Sequence, residues 1–410
     1  MEHPTTTFSC LTAPRGLFVN DCRIVVCTHV WADGPAQALR RYLNAARVAE
    51  LLYIGHPLFS DSHLDGNGFE VYRCGEEQKR RYGAIKRLPA PVSYIRDILL
   101  TLLYVWRRPG RYDAFIAFNN LNAMAGLVLR WFGKVDKVVY YTVDYTPRRF
   151  GNQILNRIYH AIERIAAQRS DETWNLSERM IEGRMAKHTL SRDDLGPQKI
   201  LPMGFWLEES TALRSGEYDP HRLVYMGHLL EKNGVQFVLR AVPAIVERIP
   251  DFRFLVIGDG EYGDDLKRLA KTLSITDNVD FKGYVEDEAD VNRLIARSAL
   301  AVALYERGDP ETNWTYYADP GKLKAYLGMG VPVLLTDVPP NAGEIVAHQC
   351  GEIIDTSPES ISSVVIGLMG NKARIAQFRE NARTYSRAFD WQAQFDQRIS
   401  ELLRPRWPEG

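Results

Sequence analysis

Cysteine is scarce in this 410-residue chain: Cys10, Cys22, Cys27, Cys74 and Cys350 form an odd, scattered set with no C-x-x-C pair and no nearby histidine partner. Such spacing argues against a disulfide framework and a cysteine-based zinc site, and leaves reduced thiols as the expectation. Long apolar runs are also missing. The longest, Ile98–Trp106, is interrupted by Thr101 and falls well short of the roughly 18 residues that span a bilayer. The first twenty residues lack the basic start and apolar stretch of a secretory signal, so a cytoplasmic location is expected. No long polar tract argues for disorder, and no short-period repeat occurs. Net charge is absent too, with 51 Lys and Arg against 51 Asp and Glu.

What is present is an ordinary globular composition, 45% hydrophobic and 25% charged, in a chain long enough for two domains of about 200 residues. The zero net charge hides an asymmetry. Residues 1–200 carry 28 basic and 20 acidic groups, and the other 210 carry 23 and 31. A basic first half suits an anionic acceptor or an anionic membrane surface, although faces that merely differ in solvation give the same count. The run Ile98–Trp106, set between Arg96-Asp97 and Arg107-Arg108, fits a buried core helix or an interfacial one.

Apolar, β-branched runs alternate with helical periodicity along the chain, the pattern of parallel sheets with crossover helices. In the first half, strands are expected at Arg23–Thr28, Leu51–Ile54, Asp113–Phe118, Lys137–Val143 and Thr173–Ser177. Helices are expected at Pro35–Glu50, Asn122–Phe132, Asn152–Arg169 and around Arg179–Ala186. A second series has strands at Leu223–Met226, Phe252–Ile257, Val279–Phe281, Leu300–Leu304 and Val331–Thr336, with helices between them. The turn-rich stretch Leu207–His221 reads as the linker. The resulting division is 1–206, 207–385, and a C-terminal segment 386–410 that crosses back to the first domain. It continues one helix expected from about Ala373 to Leu403.

Three pieces of the second half point to an anionic ligand. In Val224-Tyr-Met-Gly227-His228-Leu-Leu-Glu-Lys232-Asn-Gly234, a strand ends in glycine, a loop offers a lysine, and a second glycine opens a helix. Such backbone approaches a ligand closely, and a helix start beside a lysine attracts phosphate. Phe254-Leu-Val-Ile-Gly258-Asp-Gly260 is a second tight turn, followed by Asn278-Val-Asp-Phe-Lys-Gly283-Tyr284. In the third piece Asp319 is expected to cap a helix starting at Pro320, with Lys322 beside its free N–H groups.

The order and spacing of these pieces, with Gly330-Val-Pro-Val closing the series, resemble the C-terminal domain of glycosyltransferase family four and its capsule, O-antigen and exopolysaccharide relatives. The resemblance covers about 130 residues. It implies a GT-B fold, two facing Rossmann-like domains with a cleft between them. It also implies a metal-independent hexosyltransferase of bacterial surface polysaccharide assembly, with a nucleoside-diphosphate sugar as substrate, no cofactor and no nucleic acid. The acceptor implied is a saccharide or a polyprenyl-diphosphate-linked one. Carried over by position, Lys232 would meet the diphosphate, and Gly34, Gly227, His228, Gly258, Tyr284, Tyr317 and Lys322 would line the donor site. The chain departs from the family where His228 replaces an arginine and where Tyr317 and Ala325 stand in place of a pair of glutamates. It is also one residue short before the lysine of the first loop.

In the first half, the loop Thr28-His29-Val-Trp-Ala-Asp33-Gly34-Pro35 follows the opening strand, and Asp144 lies just past an apolar strand, where ligands bind in such sheets. Asp144 is the expected catalytic residue, taking the acceptor hydroxyl's proton or orienting donor hydroxyls. His29, Arg148 and Arg149 are expected at the acceptor. No Asp-x-Asp marks a strand–loop junction, and no metal is expected. A sugar-nucleotide epimerase of the same architecture and a catalytically silent sugar-nucleotide-binding protein are the alternatives.

Overall fold

The computed structural model describes residues 18–30, 34–57, 64, 66–83, 88–208 and 217–404. Residues 31–33 of the first glycine loop and 209–216 of the expected linker lie outside the described residues.

Strands β1 (Arg23–Val30), β2 (Glu50–Pro57), β3 (Gly68–Arg73), β4 (Glu76–Tyr82), β5 (Tyr112–Phe118), β6 (Val135–Thr142), β7 (Glu172–Asn175) and β8 (Gln198–Ile200) form one sheet. Their order is β4-β3-β2-β1-β5-β6-β7-β8. Helices α1 (Pro35–Ala45), α2 (Ala90–Trp106), α3 (Asn120–Trp131), α4 (Gln153–Arg169) and α5 (Glu178–His188) accompany it. Ile24, Val25, Val26 and Cys27 are all fully buried because both sheet faces are covered, which is why β1 reads as a continuous apolar run. The hairpin β3–β4 is antiparallel and was not expected. Its edge strand, Glu76–Tyr82, is almost entirely charged and exposed, so it has no apolar alternation to read; charge blunts a sheet edge against further pairing.

The second sheet is wholly parallel, in the order β11-β10-β9-β12-β13-β14. It is built from β9 (Asp219–Met226), β10 (Arg253–Ile257), β11 (Val279–Gly283), β12 (Ser298–Ala303), β13 (Val333–Leu335) and β14 (Gly351–Ile353). Its helices are α6 (Val235–Val246), α7 (Gly263–Thr272), α8 (Glu288–Ala296), α9 (Trp314–Tyr317), α10 (Gly321–Gly328), α11 (Ala342–Ala347), α12 (Pro358–Met369) and α13 (Lys372–Tyr385). No described helix is long and apolar enough to cross a membrane.

The single terminal helix expected from Ala373 to Leu403 is two helices, α13 and α14 (Trp391–Leu403). The break falls where the chain passes between domains: Phe389 is buried in the second-domain core and Trp391 in the first-domain core. There the Trp391 N–H donates across to Phe205 O instead of to the carbonyl four residues back, so the helix cannot run on. From there α14 lies on α1, with the Tyr42 hydroxyl donating to Asp396 Oδ1 at 2.7 Å. The outgoing and returning crossings run side by side: Phe205 N donates to Phe389 O at 3.0 Å, and Trp391 N to Phe205 O at 3.1 Å.

In each sheet the connections reverse direction at one place, between β1 and β5 in the first and between β9 and β12 in the second. Crevices open at the carboxyl ends of such strand pairs.

Candidate functional site

At the first reversal a cavity of about 400 Å³ is lined by Thr28, His29, Gly34, Asn119, Asp144 and Arg149, among others. Four expected site residues are therefore neighbours: His29, Gly34, Asp144 and Arg149. Asp144 is exposed two residues beyond β6. Gly34 caps α1 with an extended backbone (φ −168°), and among the described residues a Cβ there would meet nothing closer than Gln37 Oε1 at 4.0 Å. The Arg149 guanidinium lies 5.2 Å from the centre of the Tyr159 ring. Arg148 faces elsewhere: its backbone N–H donates to Glu311 O at 2.8 Å, and its side chain lines a separate cavity.

His29 does not have the free nitrogen expected of an acceptor ligand. Its Nε2 is 3.3 Å from Asp97 Oδ2, its Nδ1 is 2.8 Å from Asn119 Nδ2, and its side chain is only 4% exposed. Asp97 and Asn119 thus hold the ring as part of the cavity wall. Although burial pushes the Asp97 carboxyl up, its hydrogen bonds to His29 and Arg96 hold it below the usual range. Burial pushes the neighbouring His56 down to about 3, so that ring stays neutral. Asn119 performs two tasks from a left-handed backbone (φ 139°), donating to His29 and capping α3 through Asn122 N.

The second reversal builds the other half. The N–H of Gly227 donates to Ile257 O, and that of Gly258 to Gly283 O. Gly258 must be glycine, because at φ 127° a Cβ would lie 2.1 Å from Gly227 O. Lys322, in the first turn of α10, points its ammonium at this corner. Its Nζ is 3.2 Å from the Tyr225 hydroxyl, 4.4 Å from that ring's centre, and 2.9 Å from where a Gly227 Cβ would stand. No carboxylate pairs with it among the described residues, and burial pushes its pKa down to about 7. Tyr225 on β9 and Tyr305, two residues past β12, complete a feature that no motif signalled, because aromatic residues in and beside strands read as core.

The remaining donor expectations are distributed differently. His228 is exposed and its carbonyl accepts from Tyr225 Oη and Asn233 Nδ2, closing the loop that carries Lys232. Lys232 is exposed with Nζ 5.1 Å from the Trp314 ring centre, and Tyr284 is 68% exposed past β11. Tyr317 departs from expectation. Its ring is buried edge-on against Tyr145 and packs in the first-domain core. Asp319 does not cap α10. It is buried, accepts from Met203 N and Asn341 Nδ2, and pairs with Lys324 at 3.1 Å.

Asp319 thereby links the two halves. The Met203 it holds lines the first-domain cavity, and its Cε lies 3.2 Å from where a Cβ of Gly321, the neighbour of Lys322, would be. The contact at Glu311 and the bond from Ser177 Oγ to Tyr317 O join the domains elsewhere.

Residues 220–371 match the family model described as Glycosyl transferases group 1. Over 181 residues the chain is 28% identical to a GDP-mannose-dependent monoacylated alpha-(1-6)-phosphatidylinositol monomannoside mannosyltransferase of Corynebacterium glutamicum, covering 43% of this chain and 45% of that protein. The chain spans about half the length or less of the curated relatives it matches. In structure it is similar to Anabaena HepE solved with UDP (TM-score 0.66, 14% identity, 93% of this chain and 99% of that one). It is also similar to WaaG, a glycosyltransferase involved in lipopolysaccharide biosynthesis (TM-score 0.62, 16% identity, 94% and 100%). The fold is GT-B.

Proposed function

Starting from a GT-B chain whose residues 220–371 form a group 1 glycosyl transferase domain, we propose that it transfers a hexose from a nucleoside-diphosphate sugar to a saccharide or lipid-linked saccharide. The observation that carries this is Lys322, an amine at the glycine corner of the matched domain with no counter-charge among the described residues. A diphosphate supplies that charge, and the N–H groups at the start of α10 add to it. The donor sugar then extends toward Met203 and the cavity that holds Asp144. The acceptor oxygen bonds to the anomeric carbon as the bond to the diphosphate breaks. Asp144 either takes the hydroxyl proton or orients the sugar while that proton passes to the departing diphosphate, and Lys322 stabilises the departing charge. With the diphosphate neutralised by lysine and backbone, no metal is assigned there.

The relatives support the same classes: one is a phosphatidylinositol monomannoside mannosyltransferase and one structural neighbour was solved with UDP. Thermal-shift screening of UDP-, GDP- and dTDP-sugars tests the donor class. A ligand at about 100 times its Kd stabilises the fold by about 2.7 kcal/mol. A flat response to all three, with no nucleoside diphosphate released, overturns the proposal. Release only when an acceptor is present separates transfer from epimerisation.

Contact with an anionic membrane, at the cytoplasmic face, belongs to the same proposal. Helix α2 leaves Ile95, Leu99 and Trp106 outward (61%, 60% and 53% exposed), and Trp131 follows at the end of α3 (83%). The Trp106 ring is edge-on to Phe132, with Lys134 nearby and exposed Arg107 next along the chain. Such a face, apolar with a basic border, suits an anionic bilayer surface. Removing the charges of Arg107 and Arg108 should weaken binding to anionic vesicles, and unchanged binding refutes the membrane contact.

A further inference from the structure

Outside these half-sites, α4 and α5 bring together His160, Glu163 and His188. His160 and Glu163 are one turn apart on α4 and so share a face; His188 is the last residue of α5. Each offers one ligand atom, and the three atoms lie within 4.8 Å of one another. The side-chain atoms left over on these residues are His160 Nδ1, Glu163 Oε2 and His188 Nε2. All are buried, and none has a hydrogen-bond partner among the described residues. The separation of His188 Nε2 from Glu163 Oε2, 3.7 Å, is too long for a hydrogen bond. Buried polar atoms are almost always partnered, so three that converge on one point call for a shared partner.

Their other atoms are already committed in the way that aims the free ones inward. His160 Nε2 is 2.8 Å from the Pro147 carbonyl, which makes that nitrogen the N–H and leaves the lone pair on Nδ1. Glu163 Oε1 accepts from Arg184 Nε, and Arg184 is itself fixed by Thr142, Asn175 and Gln198. A cavity of about 570 Å³ lined by both histidines provides access.

We propose that His160, Glu163 and His188 bind one divalent transition-metal ion of the zinc class. Two imidazoles and one carboxylate are a set that zinc accepts with a fourth position open, here toward the cavity. Arg184 already shares the carboxylate, so most of the bonding falls to nitrogen. That disfavours magnesium and calcium, which require oxygen. The site stands apart from the diphosphate. Through the Pro147 carbonyl it is one hydrogen bond from the segment that bears Asp144, so the ion braces that segment and is assigned no part in the transfer.

The full chain, stripped with chelator, is titrated with Co²⁺ while visible absorption is followed, then with Zn²⁺ in competition. One Co²⁺ per chain with tetrahedral absorption, displaced by Zn²⁺, is expected, together with a zinc-dependent rise in Tm. His188→Ala, at a helix end, should weaken affinity by at least about tenfold, with the fold checked by circular dichroism. Glu163→Gln should also weaken it, whereas His348→Ala, stacked on Tyr385 elsewhere, should not. Absence of stoichiometric binding, unchanged affinity in both site variants, or equal competition by Mg²⁺ or Ca²⁺ overturns the proposal.

Discussion

Replacing Lys322 with methionine should make the protein a weaker donor binder and a more stable fold, and should remove a pH dependence that the native protein has. An amine whose pKa falls from 10.5 to about 7 corresponds to at most about 5 kcal/mol of disfavoured charge. Because the residue is only partly buried overall, the true figure is smaller. The sign follows from linkage. The unfolded chain holds this proton up to about pH 10.5 and the folded one only to about pH 7. Folding stability is therefore greatest above 10.5, declines as the pH falls through this window, and has lost the whole contribution below 7.

A bound diphosphate reverses the preference by giving the ammonium a partner. Donor binding should then take up close to one proton above pH 7, and affinity should fall by up to tenfold per pH unit between about pH 7 and pH 9. The diphosphate of a sugar nucleotide stays fully ionised across that range, so the slope reports the protein. Calorimetric titration in two buffers of different ionisation enthalpy measures both the affinity and the proton uptake. For Lys322→Met the slope should vanish. Affinity near neutral pH should fall about 10- to 100-fold, the worth of one charge-assisted hydrogen bond, and the free protein should melt higher. A native affinity flat with pH, or a slope that survives in the variant, refutes the reasoning.

Asp144→Asn should lower turnover by about 10²- to 10⁴-fold with donor affinity little changed, measured as nucleoside diphosphate released in the presence of acceptor; full activity removes the role given to Asp144. Arg184→Met should cost about 3–5 kcal/mol in denaturant unfolding, since it strands Glu163 in a pair whose side chains are both fully buried. An unchanged midpoint would show that the pair is not closed in solution. Two glycine changes should differ in kind. Gly258→Ala should destabilise by about 1–3 kcal/mol or more, because its Cβ would overlap Gly227 O. Gly34→Ala, with open space and an extended backbone, should stay within about 0.5 kcal/mol of the native fold. Equal losses in the two would contradict the local geometry described.

Periodicity determines a great deal here. Strands buried on both faces need continuous β-branched runs, so β1, β5, β6, β10 and β12 are legible to within about two residues at each end, whereas the first helix, expected over Pro35–Glu50, ends at Ala45 and Glu50 opens β2. Glycine turns at Gly227 and Gly258 are legible because both sit at a positive φ that side chains rarely adopt, and at Gly258 the backbone also leaves no room for a Cβ. The hairpin β3–β4 is not, because an exposed charged edge strand has no pattern to distinguish it from loop. Nor is the break at 386–390, which depends on backbone pairing of Phe389 and Trp391 with the distant Phe205.

The candidate site divides along the same line. Sequence alone brings forward Gly34, Asp144, Lys232 and Lys322, since strand ends and helix starts are local features. Which side chains remain available is decided only by tertiary packing. His29 has both nitrogens taken by Asp97 and Asn119, which lie 68 and 90 residues away in the chain. Tyr317 is drawn into the other domain's core, and Asp319 is turned from helix cap to domain link by Met203 and Lys324. Lys322 is short of a counter-charge, and His160, Glu163 and His188 share unpartnered atoms, only once distant elements have closed around them. Local chemistry follows from neighbours in sequence, whereas burial and the pairing of charge depend on contacts that exist only in the folded chain.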